Sequence, residues 1–261
     1  MEMSKGKDRN GAIRDYWNSR ADLGIRAGSN DHTAKRLEIQ AIANYIRDGQ
    51  TILDIGCGNG VTAIELARRY EVKIIGLDYA AAMISAASEN ANNVVLKGEL
   101  RFEIGDVLQL PEFEEKFDVI YTERTLINLS DFSLQKQSIK KITDALKVGG
   151  SYVMCENSQD GLDSINRLRE QVGLSRIDPP WHNRYFKDDD LKRLSIPGVR
   201  LEQIECYSST YYLLSRVVNA WCAKQEGREP NYDDPINQLA VQLPAMGDLG
   251  QGKIWLWRKV K

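Results

Sequence analysis

The chain has 261 residues, and 42% of them are hydrophobic, which is enough for one large domain with a substantial core. Its 35 basic and 37 acidic side chains give a formal net charge of −2, which argues against a protein that binds nucleic acid through the phosphate backbone. The opening residues lack the apolar stretch of a signal peptide, no apolar run is long enough for a membrane span, and the few cysteines and histidines are scattered. We therefore expect a cytoplasmic protein without a metal site that binds neither nucleic acid nor membrane.

Apolar periodicity predicts strands that alternate with helices over most of the chain. Residues 1–35 are polar, and we expect a short helix and a loop there, followed by a helix over residues 37–46. Strands are then predicted over residues 51–55, 72–77, 100–104, 117–121 and 152–155, and helices over residues 61–70, 80–90 and 134–146. Gly149 and Gly150 are expected to stop the last of these helices.

The alternation loosens after residue 160. Two further strands are predicted over residues 199–206 and 253–257, with a helical insertion around residues 211–224 between them. The predicted fold is α/β: a doubly wound, seven-stranded, mostly parallel sheet with helices on both faces, an N-terminal helical segment and a lid inserted after strands 5 and 6. We expect a helical cap over residues 1–45, a ligand-binding core over residues 46–160, and completion of the sheet with the lid over residues 161–261.

A glycine-rich loop joins the first predicted strand to the helix that follows it. Gly56, Gly58 and Gly60 allow the backbone to turn tightly and to approach a ligand. A dinucleotide site would have a glycine at the position of Val61, and it would not favour a carboxylate at Asp54, because that charge repels a pyrophosphate. An acid in this loop instead suits a ligand with a positive end.

Asp78 closes the second strand, where a carboxylate can accept hydrogen bonds from two ribose hydroxyls.

With these features, the sequence resembles the class I S-adenosylmethionine-dependent methyltransferases over roughly residues 45–156. The matching motifs are the loop of residues 54–60, Asp78, the run at 105–107, the strand at 117–121 and the Leu-x-x-Gly-Gly of residues 146–150. The resemblance implies S-adenosylmethionine as cofactor. It implies that the cofactor contacts are Asp54, Gly56, Gly58, Asn59, Asp78, Tyr79, Met83, Asp106, Val107 and Glu123.

Candidate groups for binding and activating the methyl acceptor follow the fourth and fifth strands and lie in the lid. A hydroxyl acceptor needs a nearby base, and His182 and Glu156 are the candidates. Trp181, His182 and Tyr185 are candidate substrate contacts. Arg124 could hold an anionic substrate, or it could form a salt bridge with a neighbouring glutamate.

The run Asp178-Pro179-Pro180-Trp181 is similar to the signature of methyltransferases that act on adenine in DNA. In that family the signature closes the fourth strand, whereas here the fourth strand is predicted over residues 117–121. A DNA substrate is therefore not expected.

A less specific resemblance concerns residues 16–21, 28–31 and 181–183, which are similar to a subgroup associated with bacterial surface-polysaccharide and small-metabolite pathways. It implies O-methylation of a sugar, a nucleotide-linked sugar or a phosphate or phosphoramidate group in capsule biosynthesis. It also implies that Tyr16 and Arg20 close over the cofactor. We expect a small-molecule substrate and a monomer or homodimer. Small-molecule N-methylation and a binding or scaffold subunit that has lost catalysis stay open as alternatives.

Overall fold

The computed structural model describes residues 9–261 as a seven-stranded sheet with helices on both faces. The strands are β1 (Thr51–Ile55), β2 (Lys73–Asp78), β3 (Glu99–Ile104), β4 (Phe117–Glu123), β5 (Leu146–Asn157), β6 (Val199–Glu205) and β7 (Gly252–Lys259). Their order across the sheet is β3-β2-β1-β4-β5-β7-β6. β7 runs antiparallel to both of its neighbours, and the other pairs are parallel. This arrangement confirms the predicted fold.

Helices fill the connections between the strands. The α-helices are α1 (Arg9–Asn18), α2 (His32–Ala43), α3 (Val61–Arg69), α4 (Ala81–Asn92), α5 (Phe132–Asp144), α6 (Gln159–Gln171), α7 (Asp188–Lys192), α8 (Ser209–Leu213), α9 (Ala220–Gln225) and α10 (Pro235–Ala240). A π-helix over Leu214–Asn219 joins α8 to α9, so the predicted insertion around residues 211–224 is helical. Short 3-10 helices occupy Ala21–Ala27, Val107–Gln109 and Leu126–Asn128.

Alternate residues of the central strands enter two hydrophobic clusters, one on each face of the sheet. Leu53 and Ile55 of β1 belong to one cluster, and Ile52 belongs to the other. Ile120 and Val119 of β4 divide in the same way. Because successive side chains of a strand point to opposite faces, both faces need a cover. α5 covers the first face, while α2 and α3 cover the second.

The carboxyl ends of β1, β2 and β4 lie side by side, at Ile55, Asp78 and Glu123. The segment from α1 to α2 and the insertions between β5 and β7 gather at the same edge of the sheet and line one cleft there. Ligands of open α/β sheets bind at this edge. The fold therefore positions the candidate site before any side chain is considered.

Two predicted boundaries are wrong for local reasons. The helix expected from residue 37 begins at His32, because Asp31 caps it by accepting a hydrogen bond from Ala34 N. The helix expected to stop at Gly149 and Gly150 ends at Asp144, and both glycines lie inside β5. β5 is long because it pairs with β4 on one side and with β7 on the other.

The division into residues 1–45, 46–160 and 161–261 stays a prediction. The signal-peptide interpretation concerns the first residues, of which 1–8 lie outside the described part. Within residues 9–261, no helix is long and apolar enough to cross a membrane.

Candidate cofactor and acceptor site

The glycine loop after β1 follows a path that requires glycine. Gly56, Gly58 and Gly60 all have positive φ, at 76°, 53° and 81°. A Cβ atom on Gly56 would also clash with the side chain of Thr125. Gly56 N donates to Leu77 O over 2.7 Å, which ties the loop to the end of β2. Gly60 is the N-cap residue of α3, so the loop leads directly into the first turn of that helix.

Asp54 is a buried carboxyl beneath this loop. Its side chain is 2% exposed, and its Oδ2 accepts a hydrogen bond from the Tyr121 hydroxyl over 2.8 Å. Oδ1 has no hydrogen-bond partner within residues 9–261. Burial raises the pKa of Asp54 to about 8. A buried carboxyl with one free oxygen is suited to meet a cationic group of a ligand.

Asp78 at the end of β2 organises the backbone around it. Its Oδ2 accepts from Gly58 N and its Oδ1 accepts from Ala80 N, both over 2.9 Å. Burial raises the pKa of Asp78, and the two N–H donors oppose that shift. Each carboxylate oxygen can accept more than one hydrogen bond, so the group can still receive two neighbouring hydroxyls.

A narrow cavity opens beside Asp78, and Asp106, Val107 and Tyr79 line it. Asp106 Oδ1 accepts from Leu108 N over 2.9 Å, which orients the start of the short helix at 107–109. α1 covers the cavity with Ile13 and Arg14, whose guanidinium lies 5.1 Å from the Tyr79 ring centroid. An apolar slot with a carboxylate at its edge suits a flat heterocycle that carries N–H donors.

A larger cavity, here called the chamber, adjoins the narrow one and has a volume of about 420 Å³. The two cavities share the lining residues Gly56, Asp78, Tyr79, Thr125 and Asn128. Asn59 and Met83 also line the chamber. Because the walls are shared, one elongated ligand can extend from the narrow cavity past Asp78 to Asp54 and leave room for a second molecule.

Four charged side chains meet at one wall of the chamber. Lys35 Nζ lies 2.5 Å from Glu123 Oε1, and the Thr62 hydroxyl donates to the other oxygen of Glu123. Arg124 Nε lies 3.2 Å from Glu38 Oε1. Burial raises the pKa of Glu38. Burial would also raise the pKa of Glu123. The positive charge of Lys35, a hydrogen bond from Glu38 and the positive charge of Arg124 outweigh burial, so the pKa of Glu123 lies below its usual range.

The Arg124 guanidinium therefore lies against the carboxyl of Glu38 of α2, with the ionised Glu123 nearby. Its guanidinium also donates to Gly28 O over 3.1 Å. Its backbone has a positive φ of 53°, which is uncommon for a residue other than glycine, and its N–H donates to Cys155 O. A strained residue at a strand end that faces a cavity is typical of a functional site.

His182 lies in an aromatic cluster at another wall of the chamber. Its ring centroid is 4.6 Å from that of Tyr16, 5.6 Å from that of Trp17 and 5.3 Å from that of Trp181. The residue is 5% exposed, and its Nδ1 has no hydrogen-bond partner in the described part of the chain. Burial, with help from Arg20 and Arg9, lowers the pKa of His182 to about 4. The imidazole is therefore neutral near pH 7.

Glu156 has a different environment from His182. It is 1% exposed, and its two oxygens accept hydrogen bonds from the N–H groups of Thr125, Leu126 and Ile127. Burial raises its pKa to about 7, and the backbone donors limit the shift. These contacts hold the short helix after β4 in place, which is a positioning role.

The remaining predicted residues of the lid and cap lie around the aromatic cluster. Tyr16 and Tyr185 line the chamber, while Trp181 is half exposed and packs edge-on against Tyr16. Arg20 lies over the Tyr16 ring and donates to Ala27 O and Arg26 O. Its contacts fix the cap segment and support Tyr16. The run at 178–181 lies in the lid and does not follow β4, and Asp178 and Pro180 line the chamber.

Several residues of the site were not predicted. Lys35 and Glu38 lie three positions apart on α2, so they share one face of that helix. Arg216 of the π-helix reaches the chamber between Tyr212 and Tyr232, and it pairs with Asp31. The spacing of Lys35 and Glu38 was visible in the sequence, but nothing local indicated that the charges of α2 and the lid face a cavity.

Fold and site together define a class. A seven-stranded sheet of this order, a glycine loop with a buried acid, a second acid after β2 and a third beside a flat apolar slot define a class I S-adenosylmethionine-dependent methyltransferase. The cofactor of this class is S-adenosylmethionine.

A family model described as a methyltransferase domain matches residues 46–177, and the chain belongs to this family. Phosphoethanolamine N-methyltransferase 1 of Arabidopsis thaliana is 34% identical over 146 residues, which are 55% of this chain and 29% of that protein. The 27-O-demethylrifamycin SV methyltransferase of Amycolatopsis mediterranei is 30% identical over 130 residues, or 48% of this chain and 47% of that protein. The matched region thus spans less than half the length of either relative.

A solved structure shows the same fold over nearly the whole chain. The TehB-like S-adenosylmethionine-dependent methyltransferase of Corynebacterium glutamicum superposes with a TM-score of 0.56 at 17% sequence identity. The superposition covers 96% of this chain and 100% of that one. The shared fold therefore extends beyond the region that the family model matches.

Proposed function

We propose that this protein transfers the methyl group of S-adenosylmethionine to a hydroxyl oxygen of a small polar molecule. We propose oxygen as the acceptor atom because a buried neutral histidine, His182, lines the same chamber as Asp54 and the glycine loop. A neutral amine can attack the methyl group through its lone pair without first losing a proton, whereas a hydroxyl must lose its proton during transfer. A base in the chamber therefore favours a hydroxyl acceptor.

The residues around the glycine loop fit the cofactor. When bound, S-adenosylmethionine supplies an activated methyl group on a sulfonium. Asp54 offers its free oxygen to the ammonium of the methionine part, and Asp78 accepts the ribose hydroxyls. Asp106, Val107 and Tyr79 would hold the adenine in the narrow cavity. Lys35 and Arg124 are the cations on the chamber wall that can meet the methionine carboxylate.

His182 is the residue we assign to proton removal. The imidazole accepts the proton of the acceptor hydroxyl, while Tyr16, Trp17 and Trp181 shield the ring from water. Its low pKa keeps the ring neutral at the start of the reaction. Glu156, the other candidate base, accepts hydrogen bonds from backbone N–H groups with both of its oxygens.

We also propose a chemical class for the acceptor. By their names, the two relatives are an N-methyltransferase of phosphoethanolamine and a methyltransferase of 27-O-demethylrifamycin SV, and neither supports the surface-polysaccharide subgroup. The tyrosines and paired charges of the chamber suit a polar molecule with several hydroxyls, so a sugar or a phosphorylated sugar stays our preferred acceptor. Location in the cytoplasm and a monomeric or homodimeric state stay predictions.

Calorimetric titration with S-adenosylmethionine and S-adenosylhomocysteine tests the cofactor part. We expect micromolar binding of both and loss of binding in Asp78→Ala, with an unchanged circular dichroism spectrum. A folded protein that binds neither compound would overturn the proposal and favour a scaffold subunit that has lost catalysis.

Turnover tests the role of His182. Release of S-adenosylhomocysteine is followed with nucleotide-linked sugars, sugar phosphates and simple phenols as acceptors. With the best acceptor, His182→Asn should lower kcat by about 10²–10⁴-fold and leave the affinity for S-adenosylhomocysteine unchanged. His32→Asn, which changes the other histidine, is the matched control. Full turnover by His182→Asn would remove His182 as the base.

A further inference from the structure

Another cavity, of about 340 Å³, lies beside the chamber, and its lining is basic. We call it the basic cavity. Arg9, Arg184 and Lys187 line it, against one carboxylate, Asp190. This excess of positive charge stands out in a chain whose net charge is −2. Its volume is in the range of pockets that hold small ligands.

The cations of the basic cavity are not consumed by strong ion pairs. Two other lysines nearby are already paired with carboxylates of α7: Lys253 of β7 with Asp188, and Lys192 with Asp189. Among residues 9–261, Arg184 and Lys187 form no ion pair within 4 Å. They are therefore available to an anion from outside.

The basic cavity also contains a buried hydrogen-bond acceptor without a donor. Gln135 is 0% exposed, and its Nε2 donates to Leu126 O and to Arg184 O. These two carbonyls fix the orientation of the amide, which leaves Oε1 without a partner in the described part of the chain. A buried acceptor of this kind is costly unless a donor, from a ligand or an ordered water, reaches it.

The basic cavity and the chamber share two lining residues, Asn183 and Tyr185. The two cavities therefore adjoin at these residues, and an acceptor that spans this boundary would place one part in each. The part in the chamber meets His182, and the part in the basic cavity meets the three cations and Gln135. An anion satisfies the cations, and a neighbouring hydroxyl satisfies Gln135 Oε1.

We infer that the basic cavity binds the phosphate of an acceptor that is a phosphate ester of a hydroxylated compound, either a sugar phosphate or a nucleotide-linked sugar. This inference rests on the proposed function, because it adds the phosphate subsite to the acceptor that His182 would deprotonate. It makes phosphate recognition a determinant of specificity, since the phosphate would set which hydroxyl reaches the chamber.

Calorimetry on the protein saturated with S-adenosylhomocysteine tests the inference, because the cofactor site is then filled. The probes are glucose 1-phosphate, uridine diphosphate, inorganic phosphate and glucose. We expect both esters to bind more tightly than inorganic phosphate, and glucose not to bind at the same concentrations. The ester that binds more tightly identifies the source of the phosphate.

Variants locate the binding. Arg184→Gln and Lys187→Gln should each weaken ester binding about tenfold, and the double variant should abolish it. Lys192→Gln is the matched control, because it removes one positive charge from the neighbouring helix α7. Ester binding that is equally tight in the double variant, or inorganic phosphate that binds as tightly as glucose 1-phosphate, would overturn the inference. Binding of S-adenosylhomocysteine is measured first and separately, so failure of the cofactor site and failure of the phosphate subsite are distinguishable.

Discussion

The carboxyl of Asp54 is the most unusual single group in the cofactor site. It is buried, one oxygen is held by Tyr121 and the other has no partner within the described range, so a proton on the group is favoured until a cation arrives. With a pKa of about 8, most of the group is protonated at pH 7 in the unliganded protein. A ligand ammonium placed beside it stabilises the carboxylate and expels that proton.

Binding of S-adenosylhomocysteine at pH 7 should therefore release about one proton. Titrations in buffers of different ionisation enthalpy measure this number directly. Asp54→Asn should bind without proton release and about tenfold or more weakly, because a charge-assisted hydrogen bond is lost. Asp144→Asn, on the exposed end of α5, should behave as the wild type. Equal proton release by Asp54→Asn and the wild type would refute this account.

His182 gives a second prediction at the scale of the residue. Because its pKa is lowered to about 4, its imidazole signals in nitrogen-edited NMR spectra should stay those of a neutral ring from pH 8 down to pH 5. His32→Gln leaves a single histidine and assigns the signals. A titration midpoint near the ordinary value for histidine would show that the ring is solvated, and the shielding by the aromatic cluster would then be wrong.

At the scale of the element, the glycine loop depends on both backbone conformation and close packing. Gly56→Ala would place a methyl group against Thr125 at a positive φ, whereas Gly149→Ala meets the same φ strain with no atom within 4 Å. The strain alone costs about 1–2 kcal/mol.

We therefore expect Gly149→Ala to lower the free energy of unfolding by about 1–2 kcal/mol and to leave cofactor binding intact. Gly56→Ala should lower it further and should also abolish binding of S-adenosylhomocysteine. Urea unfolding and calorimetry measure the two effects. A Gly56→Ala protein as stable as Gly149→Ala would contradict the tight packing of the loop on Thr125.

Some residues of the site can be predicted from local sequence patterns, and others cannot. The glycine loop, Asp78 and Asp106 were predicted because each follows directly from a strand whose apolar pattern is local. The contact between Arg124 and Glu38, and the ion pair between Arg216 and Asp31, join residues far apart in the chain. Such pairs depend on how the cap and the lid fold back over the sheet, and a local sequence pattern cannot predict that geometry.

At the scale of the whole molecule, the buried acids of the site affect stability. Burial raises the pKa of Asp54 to about 8 and that of Glu156 to about 7, and it also raises the pKa of Glu38. In the unfolded chain these groups release their protons near their ordinary pKa of about 4. Between these values the folded protein holds more protons than the unfolded chain, so its stability falls as the pH rises.

His182 and Glu123 act in the opposite direction at lower pH. The folded-state pKa of His182 is lowered to about 4, so stability that is present above the ordinary histidine value is lost as the pH falls towards 4. The pKa of Glu123 is also lowered, so its contribution is lost below about pH 4. Between pH 5 and 6.5 Asp54, Glu156 and Glu38 outnumber the one histidine. The unliganded protein should therefore be most stable near pH 5.

We accordingly expect the Tm of the unliganded protein to fall steadily from pH 5.5 to pH 8. Each acid can contribute a slope of up to about 1.4 kcal/mol per pH unit while its proton is held only in the folded state. Asp54→Asn removes one such group, so its Tm should fall less steeply over the same range. Saturation with S-adenosylhomocysteine should act in the same direction, because the ligand ammonium favours the ionised Asp54. Differential scanning fluorimetry across this range measures all three slopes. A Tm that is constant or rises from pH 5.5 to pH 8 would show that the folded protein does not retain these protons, and the buried acids beneath the glycine loop would then be ionised without a ligand.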